Sequence, residues 1–136
     1  MFLGEYQLTF TGKGRIILPK KLRDKLSKDE VVLSRGFEGC VLGFDSKKWE
    51  EEADKQLEVS VTDEKGRFLK RYFFSASEFI SLDNQGRFVI PESLLKFANL
   101  EKKVAIIGAG DHFEIWEKDA WQRHIKSIEE AYGRVS

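Results

Sequence analysis

The sequence predicts an α+β protein built from two pseudo-symmetric copies of one module within 136 residues. The stretch TGKGRIILPKKLRDKL (Thr11–Leu26) returns as DNQGRFVIPESLLKFA (Asp83–Ala98). Held without a gap, the offset of 72 residues from Arg15 to Arg87 also superposes Phe2 on Phe74, Gly14 on Gly86, Pro19 on Pro91, Leu22 on Leu94, Val32 on Val104, Gly36 on Gly108 and Trp49 on Trp121. Each copy joins strand-like alternation to short helical spacing. A unit of 72 residues is near the size at which an independent core is marginal, so the copies are expected to share one. The expected division is residues 1–60 for the first repeat and 61–136 for the second, the latter with a preceding helix and a closing one.

Phe2 to Phe10 alternates Tyr6, Leu8 and Phe10 with Glu5, Gln7 and Thr9, a period-two strand entering the Gly12–Gly14 turn. With Arg15–Leu18 it reads as a hairpin. The glycine of the turn suits positive φ, and the Arg-apolar alternation after it suits a half-buried strand that holds Arg15, or Arg87 in the second copy, at its start. Pro19 and Pro91 suit a first helical position, with Leu22 and Leu26, or Leu94 and Ala98, on one helix face. Val31–Leu33 and Cys40–Phe44 read as a second hairpin around the turn Gly36–Gly39. Asp45 or Ser46 then starts a helix to about Leu57, with Trp49, Ala53 and Leu57 as its apolar stripe. Glu50, Glu51, Glu52 and Asp54 lie mainly off that stripe and read as a solvated face, since no His or Cys is near to complete a metal site.

Thr62-Asp63-Glu64 signals another helix start, which Gly66 weakens by about 1 kcal/mol relative to Ala. Asp63 and Arg67 mimic the spacing of Asp83 and Arg87 but lie outside the repeat register. Tyr72, Phe73 and Phe74 are expected to begin the second repeat, which continues through Val104–Ile107, a turn at Gly108–Gly110, and Phe113–Trp116. Ile107-Gly108-x-Gly110 lacks the third glycine and the Lys-Ser/Thr of a phosphate-binding loop, so it reads as a hairpin turn. A closing helix from Lys118 or Asp119 to near Gly133 sets Trp121, Ile125 and Ile128 on one side.

Charge separates the copies. The chain is neutral overall, but Thr11–Lys28 carries Lys13, Arg15, Lys20, Lys21, Arg23, Lys25 and Lys28 against Asp24 alone, a balance of +6, while Asp83–Leu100 balances to zero. Lys and Arg supply phosphate contacts, so the first copy is the better candidate for a DNA face. No apolar run approaches the length of a spanning helix, and the opening MFLGEYQLTF does not look like a secretory signal, so a cytoplasmic, nucleoid-associated protein with no membrane partner is expected. The lone Cys40 is expected to be reduced. His112 and His124 fall in different elements, and neither they nor Cys40 have a local partner for metal binding or catalysis. No enzyme signature, cofactor, metal or small-molecule substrate is expected.

At these residues the chain resembles the MraZ family, bacterial transcriptional regulators related to the AbrB-type DNA-binding fold. The family signature is Asp-x-x-x-Arg in each of two repeats; Asp83 and Arg87 match it, whereas in the first copy Arg15 matches and Thr11 stands where the family usually has Asp. The resemblance runs from Met1 to about Arg123. It implies tandem AbrB-like swapped-hairpin β-barrel repeats with flanking short helices. It also implies closed homo-oligomeric rings that bind short direct repeats in double-stranded DNA, at a promoter for division and cell-wall genes.

The expected DNA-binding residues are Lys13, Arg15, Lys20, Lys21, Arg23 and Arg87, with Thr11 and Asp83 as the motif or orienting positions. Asp83 with Arg87 reads either as a loop-stabilising ion pair or as a clamp that fixes Arg87. Thr11 leaves Arg15 freer for a phosphate or for guanine. The alternatives are an AbrB-like antitoxin, whose chains usually hold one copy and a disordered tail, and a structural ring or small enzyme using Cys40 or His112.

Overall fold

A computed structural model describes residues 1–135. In chain order they form β1 (Glu5–Thr9), β2 (Arg15–Ile17), α1 (Lys20–Arg23), β3 (Glu30–Arg35), β4 (Val41–Asp45), α2 (Ser46–Leu57), α3 (Glu64–Phe74), β5 (Glu78–Ser81), β6 (Arg87–Val89), α4 (Glu92–Phe97), β7 (Lys103–Gly108), β8 (Phe113–Glu117) and α5 (Lys118–Val135). Six strands make one sheet in the order β1-β7-β8-β4-β3-β5, and β2 pairs with β6 in a separate ribbon. No helix among the described residues is long and apolar enough to cross a membrane.

The hairpin expected between the first strand and Arg15–Leu18 does not form. β1 instead runs antiparallel to β7, with Leu8 opposite Val104, and β5 runs against β3, with Ile80 opposite Val31. Each repeat lends its first strand to the hairpin of the other. Alternation specifies which face a strand buries but not its partner, and here the partner is chosen by the shared core. Ile16 and Leu18 from one repeat and Phe88 and Ile90 from the other pack with Val31, Leu33, Val104, Ile106 and Phe113 in one cluster. The result is an α+β fold with exchanged strands around a common interior.

The gap-free offset also needs correction. Val31 lies opposite Ile80 and Asp45, while Val104 lies opposite Leu8 and Glu117, so Val104 corresponds to Val31 rather than to Val32. One extra residue enters before β7, after Asn99 turns the chain at φ 54. The following hairpin gives it back: Gly36 N–H donates to Cys40 O, whereas Ala109 N–H donates to His112 O, one residue closer. Cys40 and His112 thus occupy equivalent hairpin ends.

Tyr72, Phe73 and Phe74 are the last turn of α3, and β5 follows at Glu78. The helix end is held from β3: Arg35 Nε and Nη2 donate to Tyr72 O at 3.0 and 2.8 Å, and Ser34 Oγ donates to Phe73 O at 3.0 Å. These bonds occupy carbonyls that a helix terminus leaves open. At the other end Asp63 Oδ2 accepts from Gly66 N–H at 2.8 Å, so the out-of-register Asp-x-x-x-Arg is a helix cap. A Cβ at Gly66 would lie 2.4 Å from Val59 Cγ1, which explains the glycine.

Three smaller expectations shift. Pro19 and Pro91 sit one residue ahead of their helices, with ψ 139 and 144. Asp45 stands before α2 but its carboxylate turns away, accepting from Ser27 N–H and Oγ at 2.8 Å each. Leu57 is 62% exposed, so the stripe of α2 is buried only toward Trp49 and Ala53. Against the other end of the sheet, α5 seats Trp121 beside Trp116, Leu42, Ala105 and Cys40 in a second cluster.

Candidate nucleic-acid interface

The two Gly-Arg turns meet at the ribbon. In the β2–β6 register Arg15 lies opposite Val89, Ile16 opposite Phe88, and Ile17 opposite Arg87. Ile16 and Phe88 point into the core, so the other face presents Arg15, Ile17, Arg87 and Val89 to solvent. Beyond the ribbon the repeats are tied reciprocally: Leu18 N–H donates to Gly86 O at 2.8 Å and Ile90 N–H to Gly14 O at 2.9 Å. Both glycines have positive φ, 71 for Gly14 and 82 for Gly86. A side chain at Gly14 would strike Ile90 O, and one at Gly86 would strike the guanidinium of Arg23. Glycine is required at both by conformation and by space.

The loops share their closing backbone bond and differ within it, where Arg15 N–H donates to Gly12 O at 3.3 Å in the first and Gly86 N–H to Asp83 O at 2.9 Å in the second. Thr11 N–H donates to Arg15 O at 3.0 Å, and Asp83 N–H to Arg87 O at 2.9 Å. In the second loop Asp83 Oδ1 also accepts from Gln85 N–H and Arg87 N–H, both at 2.9 Å, and Oδ2 accepts from Arg87 Nε at 2.7 Å. Three donors favour the ionised carboxylate, and the backbone N–H of Arg87 foremost lowers the Asp83 pKa to about 2. Thr11 supplies no such carboxylate, and Arg15 has no ion pair among the described residues.

The other expected contacts are arranged less simply. Lys13 projects from the first loop but reaches across to α4, where its Nζ lies 3.1 Å from Glu92 Oε1. Lys96 approaches the same carboxylate at 3.7 Å. The hydrogen bond from Lys13 holds Glu92 below the usual carboxylate range. Lys20 pairs with Asp24 at 3.1 Å along α1, and Lys21 is exposed on the same helix. Arg23 is half-buried, folded over Gly86 of the opposite repeat. Its counterpart at the 72-residue offset is Leu95, which covers Gly14 in the same manner.

Thus the structure brings Arg15 and Arg87 together on one face, with Lys13 on the adjoining loop, and places Lys20 and Lys21 on α1. Sequence reasoning missed the cross-repeat position of Glu92 and the packing of Arg23. The alignment of Arg23 with a leucine held the signal for the second. It also passed over Ile17 and Val89, whose place in the alternation marks them as outward-facing.

Cys40 and His112 lie on the hairpins, away from the ribbon. Burial, with the nearby Glu114 and Glu38, pushes the Cys40 thiol up to about 12, which keeps it protonated. His112 lies between Glu114 Oε2 at 2.9 Å and Asp111 Oδ1 at 2.6 Å; the Glu114 hydrogen bond foremost raises its pKa.

The duplication seen in the fold agrees with comparison against known proteins. The model of the family described as "MraZ protein, putative antitoxin-like" matches residues 1–72 and again 73–132. The chain belongs to the MraZ family. It is 42% identical over 129 residues to the transcriptional regulator MraZ of Roseiflexus castenholzii, covering 95% of this chain and 90% of that one. The Ligilactobacillus salivarius protein of the same name is 37% identical over 136 residues, covering 100% and 94%. That of Roseiflexus sp. strain RS-1 is 40% identical over 129 residues, covering 95% and 90%. The MraZ match spans both repeats.

Proposed function

We propose that this MraZ-family chain is a DNA-binding transcriptional regulator, cytoplasmic and nucleoid-associated, that controls a promoter of its own division and cell-wall gene cluster. It binds short direct repeats in that promoter as a closed ring of identical copies. The observation that carries the reading is the ribbon face, where Arg15 and Arg87 stand together beside a stretch of charge +6. The relatives named transcriptional regulators support the regulatory part. The gene cluster and the ring follow from the family resemblance.

In this reading Arg15, Lys13, Lys20 and Lys21 contact phosphates or base edges. Arg87 adds a contact from an orientation set by Asp83, Thr11 leaves Arg15 mobile, and Arg23 adds positive potential from its seat over Gly86. The exposed ion pairs of Lys13 and Lys20 are screened by solvent and weak enough to exchange for phosphate. One loop is a modest binder; several on one rim gain by effective concentration when the DNA spacing matches.

The test is salt dependence. If two or three cations per copy reach phosphates, two engaged copies give a slope of log affinity against log salt of roughly −4 or steeper, at about −0.9 per phosphate. Promoter DNA carrying a single repeat gives about half that slope. Titrations of both DNAs from low to physiological salt decide it. Indistinguishable slopes mean that one loop binds at a time, and no retention of promoter DNA removes the regulator reading altogether.

A further inference from the structure

The outer face of the ribbon carries more than charge. Ile17 and Val89 are 45% and 47% exposed, flanked on the same face by Arg87 and Arg15. Single exposed apolar residues are ordinary on a protein surface. These two are related by the repeat offset and share one small face with both signature arginines. The core needs neither, because Ile16 and Phe88 fill it from the same strands at 1% and 3% exposure.

Resting on the DNA-binding reading above, we propose that Ile17 and Val89 read thymine, each packing against the C5-methyl group of a base in the major groove. A ribbon of two strands about 4.8 Å apart fits that groove, which at about 12 Å wide admits a two-stranded ribbon, whereas the minor groove is about 6 Å wide. The thymine methyl is displayed only in the major groove. Side chains on one face of a strand recur every second residue, at about 7 Å, which matches two base-pair steps of about 3.4 Å. Arg15 with Ile17, and Arg87 with Val89, therefore address positions two steps apart: a guanidinium for a phosphate or guanine, and a branched apolar group for thymine. The methyl contact involves no charge, so it adds specificity without steepening the salt dependence.

Promoter DNA synthesised with deoxyuridine in place of thymine lacks the methyl groups and keeps every base pair. The wild-type protein should bind it more weakly, by roughly four-fold for each methyl buried and so about ten-fold or more if both residues engage. The double variant Ile17→Ala/Val89→Ala, with its fold checked by thermal melting, should bind thymine and uracil DNA alike and keep the wild-type salt slope. Ile17→Val should retain the discrimination. Equal binding of both DNAs by the wild type overturns the proposal. So does a double variant that discriminates as the wild type does, since the methyls would then act through DNA shape. A wild-type protein that retains neither DNA brings down the DNA-binding reading itself, and this proposal with it.

Discussion

The loops Thr11–Arg15 and Asp83–Arg87 close alike but turn differently inside: Arg15 N–H donates to Gly12 O at 3.3 Å in the first, and Gly86 N–H to Asp83 O at 2.9 Å in the second. Both close with a backbone bond from the first residue to the arginine carbonyl, and both hand a glycine carbonyl to the opposite repeat. Only the second adds a carboxylate that accepts from two backbone N–H groups and from the guanidinium. The difference separates what the fold requires from what it tolerates. Glycine with positive φ and the reciprocal bonds hold the ribbon together; the aspartate is an additional clasp that one copy lacks. Without it Arg15 has no ion pair among the described residues and lies in a basic stretch, whereas Asp83 fixes the guanidinium of Arg87.

The largest expected contrast concerns the residues that roof the two glycines. Leu95 is 7% exposed and covers Gly14, so Leu95→Ala should lower stability by about 2–4 kcal/mol through lost burial and a residual cavity. Arg23 covers Gly86 with its guanidinium and stays half-exposed, and Arg23→Ala should cost about 1 kcal/mol or less. Denaturant unfolding of both variants measures this. Comparable losses would show that roofing the glycine, not burial, sets the stability of the ribbon.

Next comes DNA affinity. Arg15→Ala should weaken binding to promoter DNA about ten-fold or more, the scale of one lost charge-assisted contact. Arg87→Ala should weaken it by a smaller factor, because its loop sits in a neutral stretch and Asp83 already engages the guanidinium. Titration of both variants at one salt concentration is the measurement. Equal losses, with both proteins folded, would mean that local charge does not select the DNA face.

Much of this comparison was legible before any coordinates. The duplicated Gly-Arg turn, the charge imbalance and the hairpin Val31–Phe44 follow from local rules, because glycine, alternation and helix starts act over a few residues. Strand exchange did not follow from those rules and was implied only by the family resemblance. Tyr6, Leu8 and Phe10 look alike whether they pair with Arg15–Leu18 or with β7, and the choice is made by Ile16 and Phe88 meeting in one core. The end of α3 was hidden for a similar reason. Tyr72, Phe73 and Phe74 have strand-like composition, and Arg35 and Ser34, remote in sequence, hold them in a helix. The repeated Arg15 and Arg87 were visible in the sequence, but the diversion of Lys13 to Glu92 and of Arg23 to Gly86 depends on contacts across repeats.

The smallest effect is also the most direct test of what the clasp contributes to the difference between the loops. Asp83 is held at about 2 against an ordinary value of 3.8. The unfolded chain therefore takes up this proton more readily than the folded one, and the stabilisation is present above about pH 4 and is lost as pH falls toward 2. Asp83→Asn should be the less stable protein near neutral pH and should show a shallower decline than wild type across that window. Because other carboxylates titrate there as well, the informative quantity is the difference between the two curves. Thr11→Asp makes the reverse change. If the first loop can release the N–H of Arg15 from Gly12 O, the new carboxylate accepts from it and steepens the acid decline, while binding to promoter DNA weakens a few-fold because a negative charge now stands beside phosphate and ties up Arg15. An acid profile parallel to wild type would mean that the first loop cannot close around a carboxylate. The bond from Arg15 N–H to Gly12 O would then hold the first loop in its own backbone form, and the mobility assigned to Arg15 would need a cause besides the absent carboxylate.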